Sequence, residues 1–479
     1  MAIGSKSTLK TKEEKMRKRT AIILLVMLVP AALVLAGGQR GSGAVEQIGD
    51  ISKIAWDKPM PMRDRVDGEK YVLPEGWEEA TEGIEYITFT NSGALEYDPA
   101  MAESMKIFEE LTGIEARAMV VPESILHTKQ SAILRAESDR LDLVFMTTET
   151  ENYIDYVKAG WLEPCDILWN DEIRNDFPQA VLDALEHDGS MYAFMYICGG
   201  AGDVLHYRKD FLAAAGYDRP PETFEELVEY AQTLTKDTDG DGQIDVYGMA
   251  YNAGERYATN RCFNAWAVAM GHEFVQNGRI VYNSPEAVQA LQLMVDMRNK
   301  YKVVPPGVNT YGTTDVGKLM AGGKLAMGTS MSMNWQFIQN VPEIWEQYSM
   351  THIPLPSKGA PRRIAGGPSM FGVSAFSKKK AAAMLYLDFL RSMQAATNEW
   401  LMERNGRCNK NIWNMPGAMD VPFAEFFRDC NQYITIPVFE NRQRIVEMLH
   451  AEVSDALLGK KTAQEALDSL QGAIDLLQD

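Results

Sequence analysis

From residue 84 onward, the spacing of apolar positions changes period several times. Ile84–Thr90 (IEYITFT) alternates every second residue, the mark of a half-buried strand. Ala100–Thr112 (AMAESMKIFEELT) switches to helical spacing and stops at Gly113, a residue suited to the left-handed turn that closes a helix. Ile114–Val121 is strand-like, Glu123–Arg135 is helical, and Leu141–Phe145 (LDLVF) is a short buried strand. The order β-α-β-α-β predicts a parallel, doubly wound α/β sheet. Three later helices announce their starts. Thr223 with Glu226, after Pro220-Pro221, makes a capping box. Ser284 with Pro285 opens a helix to about Arg298, and Thr462 with Glu465 caps a last helix ending near Leu477. Residues 366–376 (GGPSMFGVSAF) break and then resume strand character. The Gly-rich stretches 197–203 (ICGGAGD) and 364–369 (IAGGPS) lie between apolar strands, as crossovers between two lobes or as plain surface turns.

The front of the chain has a different pattern. Lys15–Arg19 (KMRKR) is basic, and Ala21–Leu35 (AIILLVMLVPAALVL) is an apolar run of 15 residues, short for a membrane span. Val34 and Ala36 suit the −3 and −1 sites of a signal peptidase, so residues 1–36 read as a signal peptide cleaved near Ala36/Gly37. Met16 is an alternative start. Leu35-Ala36-Gly37 resembles the front of a lipobox, but the position for the lipidated Cys holds Gly38, which argues against a lipid anchor. Residues 37–83 are rich in Gly, Pro and charge and read as a linker with an irregular extension.

The 479 residues are 46% hydrophobic and 9% aromatic, enough for a large core. The formal charge is −19, and removal of the first 36 residues, with seven Lys/Arg against two Glu, takes it to −24. Such a surface repels nucleic acid and anionic lipid and suits a soluble body that handles neutral or cationic small molecules. None of the five cysteines, Cys165, Cys198, Cys262, Cys408 and Cys430, forms CxxC; they read as buried small hydrophobes with room for one disulfide. The six histidines form no HExxH, and there is no GxSxG elbow, phosphate loop or Cys-His signature. His206 lies in a strand pattern and is expected to be structural, and Trp161 to be packing.

Residues 236–248 (KDTDGDGQIDVYG) place Asp237, Asp239 and Asp241 on alternate positions, then Gly242, Gln243 and Asp245. These fit positions 1, 3, 5, 7 and 9 of a calcium loop, but position 12, normally a bidentate Glu, is Gly248. The alternatives are a weak structural Ca2+ site, with a distant carboxylate such as Glu255 completing it, or an acidic surface turn without metal. No cofactor is otherwise required.

From about 84 to 477 the chain resembles the family 1 extracellular solute-binding proteins, the sugar-type receptors of bacterial ABC importers. The residues that carry the likeness include KIFEELTGI (106–114), VKAGWLEP (157–164), DGSMYAF (188–194), VLHYRKDFLAAAGYDRPPETFEELVEYAQTLT (204–235), LMAGGKLAM (319–327), the Trp of MSMNW (331–335), IAGGPSMFGVSAFSK (364–378), AAAMLYLDFLRS (381–392) and ALLGKKTAQEAL (456–467). Their shared order makes the match specific. The resemblance implies an α/β, two-lobed periplasmic-binding-protein fold, type II-like, that closes on a ligand and docks on a membrane permease, without covalent chemistry. It implies lobe 1 in 84–200, mainly lobe 2 in 201–365, a return to lobe 1 in 366–405, and a C-terminal helical segment, mainly lobe 2, in 406–479. It makes Trp335 a stacking residue, whose removal is expected to silence a ligand response while sparing the unliganded protein; the other reading is a core ring. Asn334 beside it is a weaker candidate. Asp203, Gly366 and Gly367 lie in the two Gly-rich crossovers. Asn91, and Thr147, Thr148 and Glu149, follow strands at their carboxyl ends, where ligands of open α/β sheets bind. Asn264 and Trp266 sit on a predicted helix, Trp266 with core-like spacing. The expected partners are a mono- or oligosaccharide and ABC permease subunits, with a monomeric, periplasmic receptor and no nucleic acid. A secreted calcium-bearing glycan hydrolase or lyase, and a ligand-binding subunit of a sensor kinase, are the alternatives.

Overall fold

The computed structural model describes residues 46–56, 71–91, 98–147, 153–197, 202–366, 369–404 and 408–478. The signal segment therefore lies outside the described residues. Strands β1 (Tyr86–Asn91), β2 (Glu115–Val120) and β3 (Leu143–Thr147) alternate with helices α1 (Pro99–Thr112) and α2 (Glu123–Arg135). Asp98 accepts the Met101 N–H at the head of α1, and Gly113 closes it with φ of 73°. β2 and β3 both run parallel to β1, as the doubly wound reading expects. β3 starts two residues later than its apolar run because Asp142 is used elsewhere. Its fully buried carboxylate accepts the Thr88 N–H at 2.8 Å and the Ser377 hydroxyl at 2.7 Å, and pairs with Lys379 at 2.9 Å.

The sheet is mixed where a parallel one was expected. Its order is β2-β1-β3-β8-β4, with β4 (Phe194–Ile197) at one edge and β8 (Ser369–Val373) antiparallel to both neighbours. β8 comes from a distant part of the chain and enters from the opposite end. Between β4 and β8 the chain builds a second, antiparallel sheet: β5 (Asp203–Arg208) lies between β6 (Met327–Met331) and β7 (Tyr348–Thr351). His206 on β5 fastens this sheet. Its Nε2 faces the Ser330 and Met331 carbonyls at 3.2 and 3.1 Å and so carries the proton, leaving Nδ1 to accept from the Tyr348 hydroxyl at 2.7 Å. Burial pushes its pKa down to about 4, in keeping with a structural role.

Three chain crossings lie side by side between the sheets. The Gly202 N–H donates to the Ala365 carbonyl at 3.1 Å, and Ile364–Ala365 pairs in parallel with Ile434–Thr435. Helix α4 (Arg256–Ala269) packs on the second sheet, and α3 (Phe224–Leu234) and α5 (Pro285–Asn299) share its apolar cluster. The predicted caps are in place: Thr223 accepts the Glu226 N–H and Ser284 that of Ala287. Helix α6 (Met393–Glu403) packs on α1, while α7 (Arg442–Leu457) and α8 (Ala463–Gln478) pack on α4 and α5. At the head of α8, Thr462 and Glu465 exchange hydrogen bonds of 2.8 and 3.2 Å.

Two apolar clusters result. The first holds Ile87, Phe89, Phe108, Phe371, Tyr386 and Phe389 around the first sheet, and the second holds Leu227, Tyr251, Trp266, Leu291, Met294 and Leu449. Burying each such side chain is worth about 1.5–3 kcal/mol. The described part of the extension before residue 84 is packed. Ile54 meets Ala80 and Ala381, and the Tyr71 hydroxyl donates to Asp388 at 2.6 Å. Residues 408–430 pack with the first cluster and 442–478 with the second.

Candidate ligand-binding cleft

Helix α4 is buried from Tyr257 to Ala269, yet it carries Thr259, Asn260, Arg261 and Asn264. Polar groups in such a place are costly unless paired. Arg261 Nε donates to Asp203 Oδ1 at 2.7 Å, an ion pair with side-chain exposures of 7% and 0%. Burial pushes the Asp203 carboxyl up from its ordinary value, and the Arg261 guanidinium works against that shift. Arg261 Nη2 reaches the Thr313 hydroxyl at 3.4 Å. The Thr313 carbonyl accepts from Asn252 at 3.3 Å and from Asn334 at 3.0 Å. Asn334 Oδ1 accepts the Gly317 N–H at 3.2 Å, and a Cβ on Gly317 would lie 2.5 Å from that oxygen. One network thus ties the hinge to the turn after β6, where Trp335 begins a short helix, Trp335–Ile338.

Trp335 is 4% exposed. The Arg404 guanidinium lies over its ring, 4.1 Å from the centroid, and Trp345 flanks it at 6.3 Å. Arg404 closes α6 in a left-handed conformation with φ of 52°, so the contact joins the layer around the first sheet to the turn after β6. Several buried polar atoms in this region have no hydrogen-bond partner among the described residues: Asn252 Oδ1, Asn260 Nδ2, Asn264 Oδ1, Ser330 Oγ, Trp335 Nε1 and Arg404 Nη1. Buried polar groups are normally paired, so a set of free donors and acceptors suits a hydroxyl-rich solute. Asp203 Oδ2 is also unpartnered, but it borders a recess of about 10 Å³ shared with His352, Arg362 and Ala365, room for about one water. A larger open recess of about 1000 Å³ runs between α3 and α5, and none of the network residues lines it.

The profile of the bacterial extracellular solute-binding proteins matches residues 88–397. The chain belongs to that family. A Brucella abortus (strain 2308) chain described as a binding protein is 28% identical over 295 residues, 61% of this chain and 68% of its own. Maltose-bound MalE3 of T. maritima superposes with a TM-score of 0.71 at 23% identity, covering 82% of this chain and 99% of that one. A ribitol-bound ABC transporter solute-binding protein from Agrobacterium radiobacter K84 gives 0.69 at 23% identity, with coverages of 82% and 99%. These structures share the two-lobed fold. This solute-binding protein is therefore an exported one by family, and its family binds solutes.

The sequence candidates fall in different places. The structure brings Asp203, Asn334 and Trp335 into or beside one network, with Asn264 one helical turn from Asn260. Asn91 and Thr147 end β1 and β3, on the first sheet, and the Asn91 side chain is buried. Thr148, Glu149 and Gly367 lie outside the described residues. Gly366 sits in a crossing, where its N–H bonds Thr435 and a Cβ would meet Ile434 at 2.7 Å; its smallness serves that packing. Trp266 is not brought to the cleft wall. It is fully buried in the second cluster against Phe224 and Tyr251, and its N–H donates to Thr329. Sequence reasoning passed over Arg261, Thr313 and Arg404. Arg261 had a signal, a charge inside the otherwise apolar RCFNAWAVAM helix; Arg404 and Thr313 had none.

In this solute-binding protein the acidic loop is compact and exposed. Carboxylate oxygens of Asp237, Asp239 and Asp245 lie within 4.8 Å of one another. Asp241 is not in that group; it accepts from the Gln243 backbone and side-chain amides. The loop lacks a twelfth-position Glu for a packing reason: a Cβ on Gly248 would sit 1.9 Å from the Ala231 carbonyl of α3. Glu255 is at the head of α4 near Gly312, away from the loop.

Proposed function

We propose that this chain is the extracytoplasmic receptor of an ABC importer that holds a carbohydrate or polyol between its lobes and hands it to a permease. It acts as a periplasmic monomer, freed by cleavage near Ala36/Gly37 and without a lipid anchor. The observation that carries this reading is the set of buried amide and hydroxyl groups at Asn252, Asn260, Asn264 and Ser330 that have no partner among the described residues, with Trp335 in the turn that follows β6. Rings stack on the weakly polar faces of sugars, and amide and hydroxyl groups meet their edges. The maltose and ribitol complexes of the related fold support the ligand class. Three adjacent crossings supply the place where the lobes can hinge. The trio Asp237, Asp239 and Asp245 is the position for a scaffold Ca2+, whose hard charge suits carboxylate oxygens.

The test is calorimetric titration of the mature protein with a panel of mono- and oligosaccharides and polyols, with X-ray scattering on the same samples. A saturable heat with a contraction in solution is the expected result. A compound consumed during the titration favours the hydrolase alternative instead.

A further inference from the structure

Each buried arginine among the described residues is answered by an acceptor. Arg208 makes paired bonds to Asp210 at 2.8 and 2.6 Å, Arg261 meets Asp203, Arg391 meets Asp388, and Arg442 donates to the Pro437 carbonyl at 2.7 Å. Acceptors are abundant, since the chain holds 66 Asp and Glu against 47 Lys and Arg. The half-buried Arg404 is not so answered. Its described contact is the face of Trp335, and its buried Nη1 has no partner among the described residues. Burial lowers its pKa with no described carboxylate opposing the shift. The adjacent Glu403 faces α1 instead, where burial, Glu399 and Asp98 act on it.

The second unpartnered atom at this stack is Trp335 Nε1. An indole N–H and a guanidinium N–H only donate. The groups on and just before α4 differ, because Asn252 and Asn264 have free acceptors and Asn260 a free donor. A neutral hydroxyl both donates and accepts and matches that mixed set. A site with donors only matches a group that only accepts, and charge on that group strengthens both bonds. We propose that the solute carries one oxyanion, a carboxylate or a phosphate, and that Arg404 pairs with it above the face of Trp335.

This inference rests on the receptor reading and is tested so that the two can fail separately. Matched pairs are titrated into the mature chain: D-galactose with D-galacturonate, and glycerol with sn-glycerol 3-phosphate, alongside the neutral panel. The expected result is that at least one anion binds about tenfold to a hundredfold tighter than its neutral partner, the range of a charge-assisted contact. The pair that shows the preference identifies carboxylate or phosphate. R404Q then erases the preference, and R404K keeps part of it. The comparison within each pair uses the wild-type protein, so it stands even if R404Q folds poorly. Neutral sugars binding as well as or better than their anionic counterparts overturns the oxyanion and leaves the receptor intact. No saturable binding by any compound, neutral or charged, rejects the receptor and the oxyanion with it.

Discussion

Gly202 and Ala365 lie so close that the N–H of one meets the carbonyl of the other at 3.1 Å, and a Cβ on Gly202 would stand 2.6 Å from that oxygen. The first and second crossings are thus held in contact by the absence of a side chain. Gly202→Ala must push them apart. We expect a loss of about 1–3 kcal/mol, the usual scale of overpacking, read from urea unfolding. Unchanged stability would show that the crossings separate freely.

Trp335→Ala abolishes solute binding in the calorimeter if the ring is the stacking platform. The expectation that the unliganded protein is spared does not fit a ring that is 4% exposed between Arg404 and Trp345. Truncating so buried an aromatic costs about 3–5 kcal/mol, so the unliganded melting point falls as well. Trp335→Phe keeps most of the packing and separates the two effects. Full affinity in that variant, with a normal enthalpy, would remove the indole from the contact.

Glu403 gives a pH signature. Burial first, then the charges of Glu399 and Asp98, push its pKa up to about 7 from an ordinary 4.5. The folded state therefore holds a proton that the unfolded state releases between these values. Its stabilising contribution is complete below about pH 4.5 and is lost as pH rises through about 7. Glu403→Gln is expected to flatten that part of the stability–pH curve; a slope identical to wild type would place the titration elsewhere.

Calcium is expected to raise the melting temperature and EDTA to reverse the rise. At ten times its dissociation constant an ion adds about 1.4 kcal/mol. Asp237→Asn should remove the response and leave solute affinity unaltered. Melting curves that ignore calcium in the wild type would reduce the loop to a turn held by its own Asx bonds.

The described cysteines are of two kinds. Cys408 is disulfide-bonded, and Cys165, Cys262 and Cys430 are free and buried. In denaturant, Cys165, Cys262 and Cys430 should react without reductant and Cys408 only after reduction, as mass spectrometry of the labelled peptides would show. A disulfide suits an oxidising compartment.

What the sequence revealed, it revealed locally. Gly113, Ser284 and the Thr462–Glu465 pair declare helix ends because caps are made by neighbours in the chain. The order of motifs also pointed to the family. Contacts between distant segments left little trace. Nothing near Asp142 says that its carboxylate will meet Ser377, and nothing near Arg404 says that it will lie on Trp335. Trp266 looked like a candidate because it is aromatic and near polar residues, yet periodicity had already put it on the inward side. Gly248 read as a defect in a metal loop, when its role is to let that strand of chain pass against α3.

β8 sits between β3 and β4, although about 220 residues separate it from the first and about 170 from the second in synthesis. A ribosome that has released residue 200 has made four of the five strands of the first sheet and still cannot close it. Pairings this remote in sequence form slowly. The first sheet therefore stays open until the chain beyond residue 369 has been made.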